Sequence, residues 1–300
     1  MKGAVVRLDR RTALGWFASL AAFPVRAQSL RLPVVATFSI LADFARNVGG
    51  DRVEVAALVG PNGDAHVYQP APGDARTVAA AQALVVNGLG LEGWLDRLLQ
   101  ASGSKARRIV ASTGVAPLGG VGEAAGKPDP HAWQSVANAK LYVANIRDGL
   151  VDADPDGAAV YGGQAAAYLS RLDALESEVV AAIAAIPARR RILVTTHDAF
   201  GYFGQAYGVT FLAPEGVSTE SEASAKDVAA IIRQVRRDHV PAVFLENIAD
   251  PRMMQRIAKE TGAKIGATLY SDALSAPDGP AATYIDMMRS NVRALVAGLA

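Results

Sequence analysis

The sequence predicts an α/β protein in which two similar parallel-sheet lobes, with helices on both faces, are bridged by one long rigid helix. Short β-branched runs alternate with helical patterns on either side of residues 154–187, and these runs show little polar alternation. Between the two sets, apolar residues recur in steps of three and four. We expect an N-terminal lobe at 28–153, a linking helix at 154–187 and a C-terminal lobe at 188–300. The alternative is an ordinary core helix within one large domain.

Residues 1–27 have the features of a cleavable signal peptide. A basic segment that includes Arg10 and Arg11 precedes an apolar run at 13–23, and a cleavage motif ends at Ala27. The mature chain would then begin at Gln28. The arginine pair also resembles a twin-arginine export signal, which leaves the export route open. A retained amphipathic anchor is the alternative reading of this segment.

The amino-acid composition limits the possible cellular location of the protein and the possible classes of partner. The chain contains no cysteine, so we expect a soluble periplasmic protein that is not a lipoprotein and that has no thiolate metal ligands. Residues 1–27 carry five basic residues and one acidic residue, and their removal leaves 25 basic and 28 acidic residues, a formal charge of −3. This balance argues against nucleic acid or an anionic membrane as partner. We also expect a monomer.

The N-terminal lobe is predicted to contain βαβ units with right-handed crossovers. Its strands are predicted at 32–38, 53–59, 83–87 and 108–111, and its helices at 40–48, 74–81, 91–101 and 134–151. A Gly/Pro/Ala-rich connection at 114–129, which contains no histidine, predicts a surface loop.

The linking helix is predicted from 155 to 186. Asp154 can serve as its N-cap, Pro155 suits the first helical position, and Pro187 prevents continuation. Packing of the apolar face has to stabilise the first turns, because Gly162 and Gly163 each cost about 1 kcal/mol relative to Ala.

The C-terminal lobe repeats the same scheme. Its strands are predicted at 191–195, 209–212, 242–246 and 264–268, and its helices at 199–207, 223–238, 251–261 and 280–297. The polar segment 214–224 either forms an edge of the cleft or simply supplies the N-cap of the helix that begins near Ala223.

Three of the four histidines, and one aspartate, lie close after predicted strands or next to a helix start. His66 follows the second strand, His131 precedes the last helix of the first lobe, His197 follows the first strand of the second lobe, and Asp272 follows the last strand. Ligands of open α/β sheets bind at the carboxyl ends of strands. If the two sheets face each other, these side chains meet between the lobes. His239 is interpreted as a surface histidine.

Three imidazoles and one carboxylate suit a divalent first-row transition metal. We therefore predict a metal site formed by His66, His131, His197 and Asp272. Asp198 and Glu246 also lie near strand ends, where either could accept a hydrogen bond from an imidazole or could form a structural salt bridge.

Five segments carry a resemblance to a known family. They are Gly63-Asp64-Ala65-His66 with Tyr68 and Pro70, Asn87-Gly88-Leu89-Gly90-Leu91-Glu92, Asp129-Pro130-His131-Ala132-Trp133, residues 196–203 (THDAFGYF), and Tyr270-Ser271-Asp272-Ala273-Leu274. Across essentially the whole mature length, the chain resembles the zinc- and manganese-binding solute-binding proteins of bacterial ABC importers (cluster A-I). The resemblance implies metal cargo in the interlobe cleft, the same four ligands, and delivery to an inner-membrane permease. A periplasmic metallochaperone would be a further partner.

The resemblance leaves the metal open, with zinc favoured. Manganese-type relatives typically have Glu where this chain has His197. An imidazole at this position favours the binding of zinc over manganese. Zinc-specific relatives often carry a His- and acid-rich loop, and residues 114–129 are not of that kind. A manganese carrier is therefore the alternative.

The rival function is a zinc-dependent hydrolase or chelatase. Catalytic zinc keeps an open coordination position and needs a general base, for which Asp198 or Glu246 could serve. Four protein ligands would close a tetrahedral shell, so we expect a carrier and not an enzyme. A binding protein for an organic metal chelate is a third reading, disfavoured because few aromatic residues lie near the predicted cleft.

Overall fold

The computed structural model describes residues 1–4, 31–119 and 126–300. The predicted signal peptide lies outside the described residues except at its first four positions, as does part of the predicted loop at 114–129. Residues 31–300 form one compact unit. The domain boundaries given above therefore stay a prediction.

The N-terminal lobe is built on a four-stranded parallel sheet with the strand order β2-β1-β3-β4. The strands are β1 (Leu32–Phe38), β2 (Val53–Val59), β3 (Ala83–Val86) and β4 (Arg107–Val110). The helices are α1 (Ser39–Gly49), α2 (Pro72–Ala80), α3 (Leu95–Ser102) and α4 (Val136–Ala153). Each predicted element is present, and most boundaries agree within two residues; α3 begins four residues later than predicted because a Gly-rich loop precedes it.

The long helix α5 runs from Ala158 to Ala184 after a short 3-10 turn. The predicted apolar face is buried along its whole length, from Tyr161 to Ile183. The prediction that Asp154 caps this helix is wrong. Its carboxylate instead accepts hydrogen bonds from Arg52 Nε and the Tyr161 hydroxyl, both at 2.6 Å, because the charged guanidinium is the stronger donor.

The C-terminal lobe has a second four-stranded parallel sheet with the strand order β6-β5-β7-β8. The strands are β5 (Ile192–Val194), β6 (Thr210–Leu212), β7 (Ala242–Val243) and β8 (Lys264–Ile265). The helices are α6 (Gly201–Tyr207), α7 (Ala225–Asp238), α8 (Arg252–Thr261) and α9 (Tyr284–Leu299).

Strands β7 and β8 are shorter than predicted. Hydrogen bonding continues past both strands, from Phe244 N to Val194 O and from Leu269 N to Leu245 O, but without regular ladder geometry. The predicted extended runs thus persist as irregular backbone. This irregular backbone leads directly into the site.

One apolar core connects the lobes. It extends from the N-terminal sheet across the buried face of α5 to α9, and a smaller cluster lies under α7 and α8. Helix α5 contacts α1 and α4 of the first lobe as well as α6 and α9 of the second. Within the described ranges, no helix combines the length and apolarity needed to cross a membrane.

Candidate metal centre

The four predicted site residues lie together in the cleft between the two sheets. His66 lies in the loop after β2, His131 just before the turn that leads into α4, His197 after β5, and Asp272 in the segment after β8. His131, His197 and Asp272 are fully buried, and His66 is 5% exposed. Each of them offers one ligand atom, and these atoms all lie within 4.8 Å of one another.

Three of the distances among these atoms are close to those of a coordination shell, and a fourth, from His131 Nε2 to Asp272 Oδ1, is 3.6 Å. His66 Nε2 lies 3.1 Å from His131 Nε2 and 3.2 Å from Asp272 Oδ2, and His197 Nε2 lies 3.2 Å from the same oxygen. A tetrahedral zinc shell with bonds of ~2.0–2.1 Å has ligand separations of about 3.3–3.4 Å. The four residues could therefore hold one such ion with little rearrangement.

Several polar atoms of this cluster are buried without an aligned hydrogen-bond partner among the described residues. They are both carboxylate oxygens of Asp272 and both ring nitrogens of His197. Buried polar atoms in native proteins are nearly always paired, because an unpaired one costs free energy. A cation bound among them would supply the missing partner for Asp272 and for the Nε2 atom of His197.

Asp129 fixes the ring of His131. One carboxylate oxygen, Oδ1, accepts from the backbone N–H of His131 at 2.9 Å and lies 2.7 Å from its Nδ1. This bond directs Nε2 into the cleft. Burial lowers the pKa of His131, but the carboxylates of Asp272 and Asp129 outweigh it and raise that pKa to about 9 in the metal-free protein.

Glu246 holds the segment that carries His197. Its Oε1 atom accepts from the backbone N–H groups of Thr196 and His197 at 2.7 and 3.0 Å. Its Oε2 atom lies 2.7 Å from His197 Nδ1, although the two are not aligned as a hydrogen bond. Burial opposes ionisation of both groups, yet the pKa of His197 is raised by Glu246 and Asp272, and the pKa of Glu246 is lowered by His197.

Asp272 is ionised in this environment. Burial alone would raise the pKa of its carboxyl, but the facing imidazoles of His131 and His197 hold that pKa well below the usual value. The buried carboxylate is thus available to a cation that displaces the imidazole protons.

The loop that carries His66 is held through its backbone. The backbone N–H of His66 donates to Asp64 Oδ1 at 2.8 Å, and the Trp94 indole donates to the carbonyl of Ala65 at 2.8 Å. Among the described residues, no carboxylate orients the Nδ1 atom of the His66 ring as Asp129 does for His131. His66 is therefore the least restrained of the four side chains.

The sequence predicted some of the residues that contact the proposed ligands. The structure places Glu246 against His197, as one interpretation proposed, whereas the side chain of Asp198 is hydrogen-bonded to no imidazole in the described part of the chain. Asp129 was missed, although its position two residues before His131 was a usable signal. His239 is exposed at the end of α7, as predicted.

A family of known proteins matches most of the chain. The family model described as "ZnuA: Zinc-uptake complex component A periplasmic" matches residues 34–298. The chain belongs to this family. Its members among the relatives include metal-binding substrate-binding components of ABC transporters, so the resemblance inferred from the motifs is confirmed.

Three relatives show the range of metals. The chain is 36% identical over 269 residues to the manganese-binding lipoprotein MntA of Halalkalibacterium halodurans, covering 89% of this chain and 88% of MntA. It is 34% identical over 269 residues to the iron-binding protein YfeA of Yersinia pestis, covering 89% and 86%. The solved structure of the periplasmic zinc-binding protein TroA from Treponema pallidum superposes with a TM-score of 0.85 at 30% identity, covering 90% of this chain and all of that one.

The relatives correct one prediction. We expected a protein that is not a lipoprotein because the sequence lacks cysteine, but MntA and several streptococcal relatives are named as lipoproteins. That prediction is wrong, because the absence of one residue type is not sufficient evidence of how the carriers of this class are located. An outward-facing location remains consistent with the family description.

Proposed function

We propose that this protein binds one divalent first-row transition metal ion through His66, His131, His197 and Asp272, and that zinc is its cargo in preference to manganese. The observation that carries this proposal is the spacing of 3.1–3.6 Å between ligand atoms of buried side chains from both lobes. Like polar groups gather at such distances in a protein interior when a cation can offset their mutual desolvation.

The preference for zinc rests on the donor atoms. Three imidazole nitrogens and one carboxylate form a borderline-soft set, and the affinity of nitrogen and oxygen ligands rises from manganese to zinc. The third imidazole, that of His197, is the decisive donor. A manganese carrier of the same type is the second candidate, favoured by the similarity to MntA.

Carriage fits the site better than catalysis. A tetrahedral ion with four protein ligands leaves no position for a reactive water. Glu246, the nearest candidate base, is already committed to two backbone N–H groups and to His197. We therefore propose that the protein is not an enzyme, and that it acts as a monomer that hands its ion to the permease of an ABC importer, with a metallochaperone as a further partner.

Equilibrium binding tests this function. Competition against a chelator of known affinity should show one zinc ion per chain, with zinc held more tightly than manganese. Alanine at any of the four positions should weaken zinc binding by about a hundredfold or more, since each removes one bond to the ion. His239→Ala is the matched control and should bind as the wild type does. Unchanged affinity in His197→Ala would remove that residue from the site.

A further inference from the structure

A hydrogen bond joins the two lobes beside His66. The Thr219 hydroxyl, in the polar segment between β6 and α7, donates to Asp64 Oδ2 at 2.6 Å. Asp64 belongs to the loop after β2, and its other oxygen accepts from the backbone N–H of His66. One carboxylate thus joins a segment of the C-terminal lobe to the backbone of a proposed ligand in the N-terminal lobe. We call the contact between Asp64 and Thr219 the interlobe latch.

A cavity lies beside this contact. It has a volume of about 620 Å³, and both members of the interlobe latch line it. Thr196, the residue before His197, lines it as well. None of the four proposed ligands is among its described lining residues, so the cavity reaches the edge of the site without opening into it.

The charge of the cavity suits a cation on its way to the site. The carboxylates of Asp64, Glu215, Glu222 and Asp250 line it together with the guanidinium groups of Arg252 and Arg256. Asp250 is paired with Arg252, which leaves the other three carboxylates free of any ion pair among the described residues. Four acidic and two basic side chains give the lining an excess of negative charge, which raises the local concentration of cations.

The site itself is closed to solvent. Three of the four proposed ligands are fully buried, so an ion can enter or leave only when part of the structure moves. His66 is the natural moving part, because Asp129 and Glu246 restrain the other two imidazoles while the His66 ring has no such partner among the described residues. The opposite end of its loop is tied separately, through Asn62 N to the carbonyl of Leu274 at 2.9 Å.

We infer that the interlobe latch is the gate of the metal path: breaking the bond between Thr219 and Asp64 releases Asp64 and the His66 backbone that it holds, and opens the site to the acidic cavity while the other contacts of the loop persist. Asp64 and Thr219 are positioning residues that act through His66 and do not bind the ion. This inference rests on the proposed function, because it concerns the passage of the same cargo.

The gate makes a distinctive kinetic prediction. The latch joins the Thr219 hydroxyl to the Asp64 carboxylate, neither of which is a proposed ligand, so it should stabilise the closed form to the same extent with and without metal. Removing it should accelerate entry and exit together and leave the equilibrium affinity nearly unchanged. A residue that merely supports the bound site would instead weaken affinity through the exit rate alone.

The test is stopped-flow measurement of zinc association, and of zinc release to excess chelator, on the mature chain. In Thr219→Val, both rate constants should rise on the order of tenfold, the equivalent of one hydrogen bond to a charged group, with Kd within about twofold of the wild type. Thr219→Ala should behave in the same way, and Thr219→Ser should restore wild-type rates. Thr210→Val, on the exposed side of β6, is the matched control and should change neither rate.

Two results would overturn the gate. One is wild-type rates in both Thr219→Val and Thr219→Ala, and the other is a tenfold weaker Kd with unchanged association. Both are distinguishable from failure of the proposed function, which would show as a wild-type protein that binds no zinc at the four-residue site. Thermal unfolding of the metal-free variants checks that each is folded before its rates are measured.

Discussion

The indole N–H of Trp133 donates a hydrogen bond to the carbonyl oxygen of Ser271 at 2.9 Å, from one lobe to the other. The side-chain amide of Gln134 donates to the same carbonyl at 2.7 Å. Trp133 lies two residues after His131, and Ser271 directly precedes Asp272. The proposed ligands of the two lobes are therefore held in register by contacts between protein groups that do not bind the ion. Such preorganisation reduces the conformational entropy lost on binding.

Trp133→Phe should weaken zinc binding by up to about tenfold, because it removes one buried hydrogen bond while it keeps most of the ring packing. The measurement is chelator competition at equilibrium. Tyr161→Phe is the control, since it removes a hydroxyl bonded to Asp154 at the start of α5. That control should lower thermal stability and leave the affinity for zinc unchanged. Equal affinity in Trp133→Phe and the wild type would show that Gln134 alone sets the register.

Glu246→Gln should weaken zinc binding by about 10- to 100-fold, the usual effect of removing a carboxylate that supports a ligand imidazole. The substitution keeps the shape and one acceptor oxygen, but it removes the negative charge 2.7 Å from His197 Nδ1. The measurement is titration with zinc, compared with the same titration of the control Glu178→Gln. Glu178 suits this purpose because it pairs with Arg289 at the surface. An affinity equal to that of the control would contradict the role of Glu246.

Zinc affinity should rise with pH through the neutral range. In the metal-free protein the pKa of His131 is raised to about 9 by Asp272 and Asp129 against the effect of burial, and that of His197 is raised as well. These imidazoles hold protons at neutral pH, and an ion must displace them. Protonation stabilises the metal-free form below the raised pKa, and this advantage is lost as the pH rises through it.

Each displaced proton should change the apparent affinity by about tenfold per pH unit below that pKa. Calorimetric titration in two buffers with different ionisation enthalpies counts the protons that are released. Two results together would contradict the protonated state inferred for the free site. They are an affinity that does not change between about pH 6 and pH 8, and binding heats that do not depend on the buffer.

His197→Glu should shift the preference from zinc toward manganese, because it replaces a nitrogen donor by a harder oxygen donor. We expect the ratio of zinc affinity to manganese affinity to fall by about tenfold or more. The His131→Glu protein provides a comparison in which an imidazole of the other lobe is replaced. A selectivity ratio that stays unchanged in His197→Glu would show that donor type at this position does not set the preference.

The sequence predicted the fold and the gathering of the four side chains because both follow from local patterns. Hydrophobic periodicity fixed the buried face of α5, and the rule that parallel strands present their carboxyl ends to a ligand placed His197 and Asp272 at one edge. The helix that starts after Ser224 is another case, since the Ser224 hydroxyl accepts from Asp227 N as a capping pattern predicts.

Other features depend on residues that are distant in sequence. Asp154 is a residue type that is favoured at N-caps. Its carboxylate instead accepts a hydrogen bond from Arg52, which lies 102 positions away in the sequence. The bond between Thr219 and Asp64 spans 155 positions, and no periodicity indicates it. Two strands of the second sheet are also shorter than predicted, because irregular backbone follows them and brings Glu246 and Asp272 to the site. Tertiary packing decides such partners, so a single sequence does not reveal them.

The central claim is that His66, His131, His197 and Asp272 surround one cation. Anomalous diffraction at the zinc absorption edge, from crystals of the zinc-loaded protein, tests it most directly. We predict one strong peak per chain in the interlobe cleft, at ~2.0–2.1 Å from a ring nitrogen of each histidine and from a carboxylate oxygen of Asp272. A zinc peak elsewhere on the molecule, with these four side chains free of metal, would contradict the account.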